Sequence, residues 1–349
     1  MNRKVGIAFL GLWVVAFFAP TVLFAADKPI EELERQVAAQ QEAIMRLQAA
    51  LMAERARIVA EQAAAADKAA LELAKKNFTV TVSPPDPEIA RQVQEAAART
   101  WMQSRLNGLT LAKPCPIKVK VGQIGAGGAT TFNFGGGQVF GWQMNVQGSL
   151  ERILDSVIPH EVCHMLNACD TRRPLPRWAD EGIATLYETD SERMRQLALA
   201  KEIVGTPRFI PVRQLLTITE YPKDMQAVLA LYAEGSALSD FLVTRAAQAS
   251  GGTWTQEQAR QWMLSFIQAA HERGVDAALN DLKNSKDNPL GTIGNVAQLS
   301  NEFTAWLRGG NAALYSFADP ADQSIAPQGG GILPVNNTDN NRNVVPLGR

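Results

Sequence analysis

Between Ile30 and Lys76 the chain contains neither glycine nor proline. A stretch of that composition, rich in Ala, Glu, Gln, Arg and Leu, propagates as one helix roughly 70 Å long. A small domain is only about 30 Å across, so such a helix cannot be wholly enclosed by a core. Ile30, Val37, Ile44, Leu51, Ile58 and Ala65 recur every seven residues, with Leu33 and Leu47 on a second seam that Gln40, Glu54 and Glu61 weaken. This is a coiled-coil pattern, and it predicts a helix over residues 28–76. The helix either self-associates through residues 30–76, as a stalk or a spacer from a membrane, or lies as a lone amphipathic helix on the rest of the protein.

The second constraint is His160-Glu161-Val162-Cys163-His164, which uses two of the three histidines in the chain. Four helical residues turn the chain by about 400°, so His160 and His164 leave one face about 6 Å apart along the axis. Two imidazoles can then converge on one zinc ion, with Glu161 on the open side to take a proton from water. Cys163 is rotated about 100° from His164 and reads as packing.

A catalytic zinc site takes three protein ligands and keeps one open position. Glu181 lies seventeen residues beyond His164, after Pro174 and Pro176, in a segment whose Trp178, Ile183, Leu186 and Tyr187 recur at helical spacing. On a second helix packed beside the first it supplies the third ligand. Otherwise it is a solvated glutamate of a first helical turn, favoured by the helix dipole. Gly182 beside it allows close approach of the two helices.

The segments Glu151–His164 and Arg172–Gly182 resemble the gluzincin metallopeptidases of the peptidase-MA type, with HExxH followed by a downstream glutamate in a W-x-x-E-G context. More narrowly, residues 78–306 resemble secreted bacterial proteins carrying a peptidase-MA-like domain. The resemblance implies an α+β zincin-like domain with a small mixed sheet, an active-site helix bearing HExxH and a mostly helical C-terminal lobe, with the cleft between lobes. It implies His160, His164 and Glu181 as ligands of Zn2+, Glu161 as general base, and peptide or protein as substrate. A tyrosine or histidine further along the chain often stabilises the oxyanion in such enzymes. Tyr232, in the Leu229–Leu242 segment, is the nearest candidate here, and the alternative is a core tyrosine. Similar chains have a second aromatic residue where this one has Ser236.

The rest of the chain predicts a globular part over residues 78–310. Phe78–Val82 and Ile117–Val121 alternate as strands, with a helix over Ile89–Leu106 between them. The glycine-rich stretch Gly125–Gly137 lacks the Gly-Lys-Ser/Thr ending of a phosphate loop and reads as strands over Thr130–Phe134 and Val139–Val146 joined by glycine turns. A helix is expected over Leu150–Ala168, and Pro159 either bends it or starts a new segment. Helices follow over 191–204, 212–216, 227–249, 256–274, 275–282 and 300–307. His271 falls at a helix end, where the dipole favours it.

Residues 1–26 read as an export signal: Asn2-Arg3-Lys4 precedes an apolar run from Val5 to Ala26. It is either cleaved after Ala25 or Ala26 or retained as an anchor, the one route to a membrane. The expected location is therefore periplasmic or secreted. In that setting Cys115 and Cys169 either pair or stay free and buried. A formal net charge of -1 leaves no basic footprint for nucleic acid. The tail over 318–349, dominated by Gly, Pro and Asn, is expected to be disordered. The rival to a peptidase is a non-catalytic coiled-coil envelope protein whose metal domain serves binding or assembly. A weaker third reading is a metal-dependent hydrolase acting on another bond.

Overall fold

The computed structural model describes residues 29–123, 125–309 and 312–318. The expected export segment, residues 1–26, lies outside the described residues, as does the expected tail apart from Ala318. The chain forms two compact units, residues 1–67 and 68–349. The described part of the first is helix, from α1, Ile30–Lys75. Its heptad residues are exposed in the single chain, apart from the partly buried Leu33.

The second unit is mixed α+β. It takes in the last turns of α1, ahead of Phe78, because Leu71 and Ala74 are buried in its sheet-side core. The elements β1 (Phe78–Ser83), α2 (Pro87–Met102), β2 (Cys115–Val121), β3 (Gly127–Gly135) and β4 (Gln138–Gly148) then form a four-stranded sheet with α2 packed on it. The strand order is β1-β2-β4-β3, with β1, β2 and β4 parallel and β3 antiparallel at one edge. The glycines decide this hairpin. Gly136 and Gly137 both have positive φ, the geometry of a two-residue turn that matches strand twist. Gly141, also at positive φ, gives β4 one more residue than β3 opposite Thr131–Asn133. One sheet face buries Phe78, Ile117, Val119, Trp142, Met144 and Val146 against α2 and the metal-motif helix.

After β4 the chain turns into α3 (Leu150–Arg152), a π-helical turn at Ile153–Val157, and α4 (Ile158–Thr171). The π turn answers the question posed by Pro159. The Ile158 N–H reaches back five residues to the Ile153 carbonyl, and Pro159 then occupies an opening position of α4, where its missing N–H costs little. The helical run is continuous with a changed pitch.

The C-terminal part is helical: α5 (Arg177–Thr185), α6 (Asp190–Ile203), α7 (Val212–Leu215), α8 (Met225–Ser250), α9 (Gln256–Arg273), α10 (Val275–Asn284) and α11 (Val296–Arg308). These pack as a second core that Cys163 of α4 joins. Helices α5 and α8 cross at their glycines. A Cβ on Gly182 would come 2.4 Å from the Gly235 carbonyl oxygen, and one on Gly235 would come 2.7 Å from the Trp178 carbonyl oxygen. Only glycine at both positions lets these backbones meet.

Beside that crossing, Glu234 is fully buried, accepting the Ile210 N–H at 2.8 Å with one oxygen while the other has no partner. Burial pushes its carboxyl up to about 8, against a smaller opposing effect of the Ile210 hydrogen bond. The folded state therefore holds a proton that the unfolded state releases above its ordinary carboxyl range. Stability from this group is full at low pH and is lost as pH rises through about 8. Glu234→Gln should remove that loss, so that between pH 5 and pH 8 the variant gains about 3–4 kcal/mol relative to the native chain. Urea unfolding at both pH values measures it, and parallel stability curves for the two proteins would refute it.

Candidate metal centre

His160 and His164 project from α4, and Glu181 reaches them from α5. His160 Nε2 lies 3.1 Å from His164 Nε2 and 3.3 Å from Glu181 Oε2. His164 Nε2 lies 3.7 Å from the same oxygen. Ligands about 2.0–2.1 Å from a tetrahedral zinc are separated by about 3.3–3.4 Å, so this triangle has the size such an ion needs. Glu181 Oε2, the oxygen in the triangle, is buried and has no hydrogen-bond partner in the protein. Nitrogen, nitrogen and oxygen donors of this kind suit zinc and its first-row neighbours. The three residues thus fit a metal of that class.

Each of the three is held from behind. Glu188 Oε1 sits 2.6 Å from His160 Nδ1, which turns Nε2 toward the triangle. Asp180 Oδ1 is 3.0 Å from His164 Nδ1, out of line for a full hydrogen bond. The Tyr221 hydroxyl donates to Glu181 Oε1. Burial works against charge on both imidazoles, but the surrounding carboxylates outweigh it. Glu181 and Glu188 hold His160 well above the usual imidazole range. Asp180 and then Glu181 bring His164 up to about 9. Burial pushes the Glu181 carboxyl up, yet the two histidines, His164 first, bring it down to about 2. The carboxylates around the two imidazoles thus favour positive charge in this pocket.

Glu161 is buried on α4 and faces β3. Its Oε2 accepts the Thr130 hydroxyl at 2.6 Å. Its Oε1 lies where a Cβ on Gly128 would be, at 2.4 Å, so a side chain at residue 128 would displace the carboxylate. Consecutive residues from Ala126 to Phe132 line a cavity of about 880 Å³ together with His160, Glu161, His164 and Glu181. Both faces of the strand contribute, so the cavity is met by the open edge of β3. Tyr232, on α8, also lines the cavity, its ring stacked 6.3 Å from that of Tyr221. Burial, then the Glu181 charge, raises the hydroxyls of both tyrosines, which stay protonated donors.

Cys163 is buried away from the triangle, its Sγ 3.7 Å from the Ile183 carbonyl oxygen, and burial raises its thiol. All three cysteines are free, so Cys115 and Cys169 do not pair. His271 is exposed in the last turn of α9, outside the cavity.

Five residues of this site escape a reading by motif. Asp180 adjoins Glu181 but is turned about 100° from it round α5, and Glu188 lies past the end of that helix, so no shared face marks either. Thr130 and Gly128 share an alternation with the cavity side of β3. Tyr221 stands on a loop before Pro222, where no periodicity marks it. No family model, no curated protein and no solved structure matches the chain.

Proposed function

We propose that the protein is an exported zinc-dependent peptidase of the gluzincin type, with His160, His164 and Glu181 as metal ligands and Glu161 as general base. The observation that carries this reading is the ligand triangle with sides of 3.1, 3.3 and 3.7 Å beside a buried, otherwise unbonded carboxylate oxygen. Zinc bound there supplies Lewis acidity to water and to a substrate carbonyl. Glu161 takes the proton of the attacking water and returns it to the departing amine. Thr130 holds one Glu161 oxygen and leaves the other for that transfer. Tyr232 donates to the oxygen that gains charge in the transition state. The open edge of β3 receives an extended peptide by strand addition. The apolar run from Val5 to Ala26 supports export.

Elemental analysis of the purified protein tests the metal. About one zinc per chain is expected, with affinity lowered at least tenfold in His160→Ala, His164→Ala and Glu181→Ala. A native chain that takes up no added zinc would refute the site. Unchanged affinity in Glu181→Ala would remove Glu181 from the ligand set.

A further inference from the structure

Helix α1 presents an apolar seam that nothing among the described residues covers. Val37, Ile44, Leu47, Leu51 and Ile58 are between 41% and 66% exposed. A contiguous stripe of this kind on a soluble chain marks an interface. Helices in proteins draw most of their stability from packing an apolar face, so a helix of 46 residues with this stripe calls for a partner.

We propose that the partner is a second copy of this chain, paired antiparallel over residues 30–68. The argument is the distribution of residues along the seam. If two copies ran parallel and in register, Gln40, Glu54, Glu61, Ala65 and Lys68 would each face themselves. Five layers would then lack a large apolar side chain, and two of them would set glutamate against glutamate. In the antiparallel arrangement a residue of one seam position faces the other seam position of its neighbour. Sliding the two copies to full overlap sets Ile30 against Lys68, Leu33 against Ala65 and Val37 against Glu61 of the second copy. It sets Gln40 against Ile58, Ile44 against Glu54, and Leu47 against Leu51 at the centre.

Every layer then contains at least one isoleucine, leucine or valine, and no layer opposes like charges. The leucine- and isoleucine-rich first half covers the alanine- and glutamate-rich second half of its neighbour. The seam glutamates do not enter this contact as bare charges. Glu54 and Glu61 are each paired with Arg57 of their own helix, at the flank of the seam. The same helix is self-complementary in one direction only, and that favours a second copy over an unrelated protein.

The test uses the full chain carrying Val37→Cys and Glu61→Cys together. Within one helix these positions are about 36 Å apart, so they cannot join in the same chain. In the antiparallel dimer they face each other across the seam within disulfide reach. Mild oxidation followed by peptide mapping should find the link between residues 37 and 61 of two chains. Adding Leu47→Glu and Leu51→Glu to that chain should reduce the cross-linked fraction at least tenfold while helix content by circular dichroism is retained. Links of 37 to 37 and 61 to 61 would overturn the proposal in favour of a parallel pair. A chain that stays unlinked, whether single or bound to lipid or to another protein, would overturn it as well. The native cysteines, two buried and one partly buried, provide the background control.

Discussion

Zinc-loaded Glu161→Gln protein is expected to keep its metal and to lose peptide hydrolysis by about 100- to 10,000-fold. The substitution keeps the shape of the side chain and its contact with Thr130, whose hydroxyl can still donate to an amide oxygen. What it removes is the basic oxygen. An amide cannot accept the water proton and return it to the amine, so the loss falls on turnover. His160, His164 and Glu181 are untouched, so zinc content stays near one per chain. Those two readouts together separate a lost base from a lost site. Hydrolysis at the native rate in a zinc-loaded Glu161→Gln chain would remove Glu161 from the mechanism. Loss of metal along with activity would mean that Glu161 holds the site together rather than acting on water. Gly128 favours retained metal with lost turnover, because the carboxylate lies against a strand carrying no side chain there, where a neutral isostere fits equally well.

The placement of the two histidines was legible because helical spacing leaves little freedom over four residues. Glu181 was legible for a different reason. Its tryptophan neighbour marks a buried helix, but Gly182, expected to let that helix approach the metal-motif helix, instead meets α8 backbone to backbone. The hairpin was legible in its glycines, though β3 extends to Gly127, earlier than alternation at Thr130 suggested. Two kinds of feature were not legible. The π turn before Pro159 depends on how the following helix seats against the sheet, and no residue type encodes it. The groups behind Glu161 and the ligands come from separate segments: Thr130 from the sheet edge, Tyr221 from a loop and Glu188 from beyond the helix end. Their convergence depends on the tertiary packing of both cores. The heptads of α1 were legible as a pattern, while the opposing halves of the seam became meaningful only once its residues were found exposed.

Arg260→Ala is expected to destabilise the second unit by about 3–5 kcal/mol, the cost of removing one partner from a buried ion pair. Arg260 is completely buried on α9. Its guanidinium bonds both oxygens of Glu257, at 2.7 and 2.9 Å, and lies 2.8 Å from Asp170 near the end of α4. It also reaches Asn167 at 3.4 Å. Tyr187, just beyond α5, donates to Glu257 at 3.2 Å. One side chain therefore fastens the metal-motif helix, the segment after the Glu181 helix and α9 to one another. Alanine leaves Asp170 and Glu257 facing each other in a pocket shaped for a cation. Arg105 and Gln261 remain on Asp170, at 2.7 and 3.2 Å, but they cannot reproduce a planar fork bridging both acids. Arg260→Lys keeps the charge and loses the fork, so it should cost less than the alanine variant, about 1–2 kcal/mol. Urea unfolding of the metal-free protein reads these values without any contribution from bound zinc. A loss below about 1 kcal/mol in Arg260→Ala would show that Arg105 and entering water compensate the acids, and that α4 is held by its apolar contacts alone. At the expected size the loss is a large share of the 5–15 kcal/mol that a domain has in total. The same variant should then hold zinc less tightly, because the helix that carries both histidines is no longer fixed at its far end.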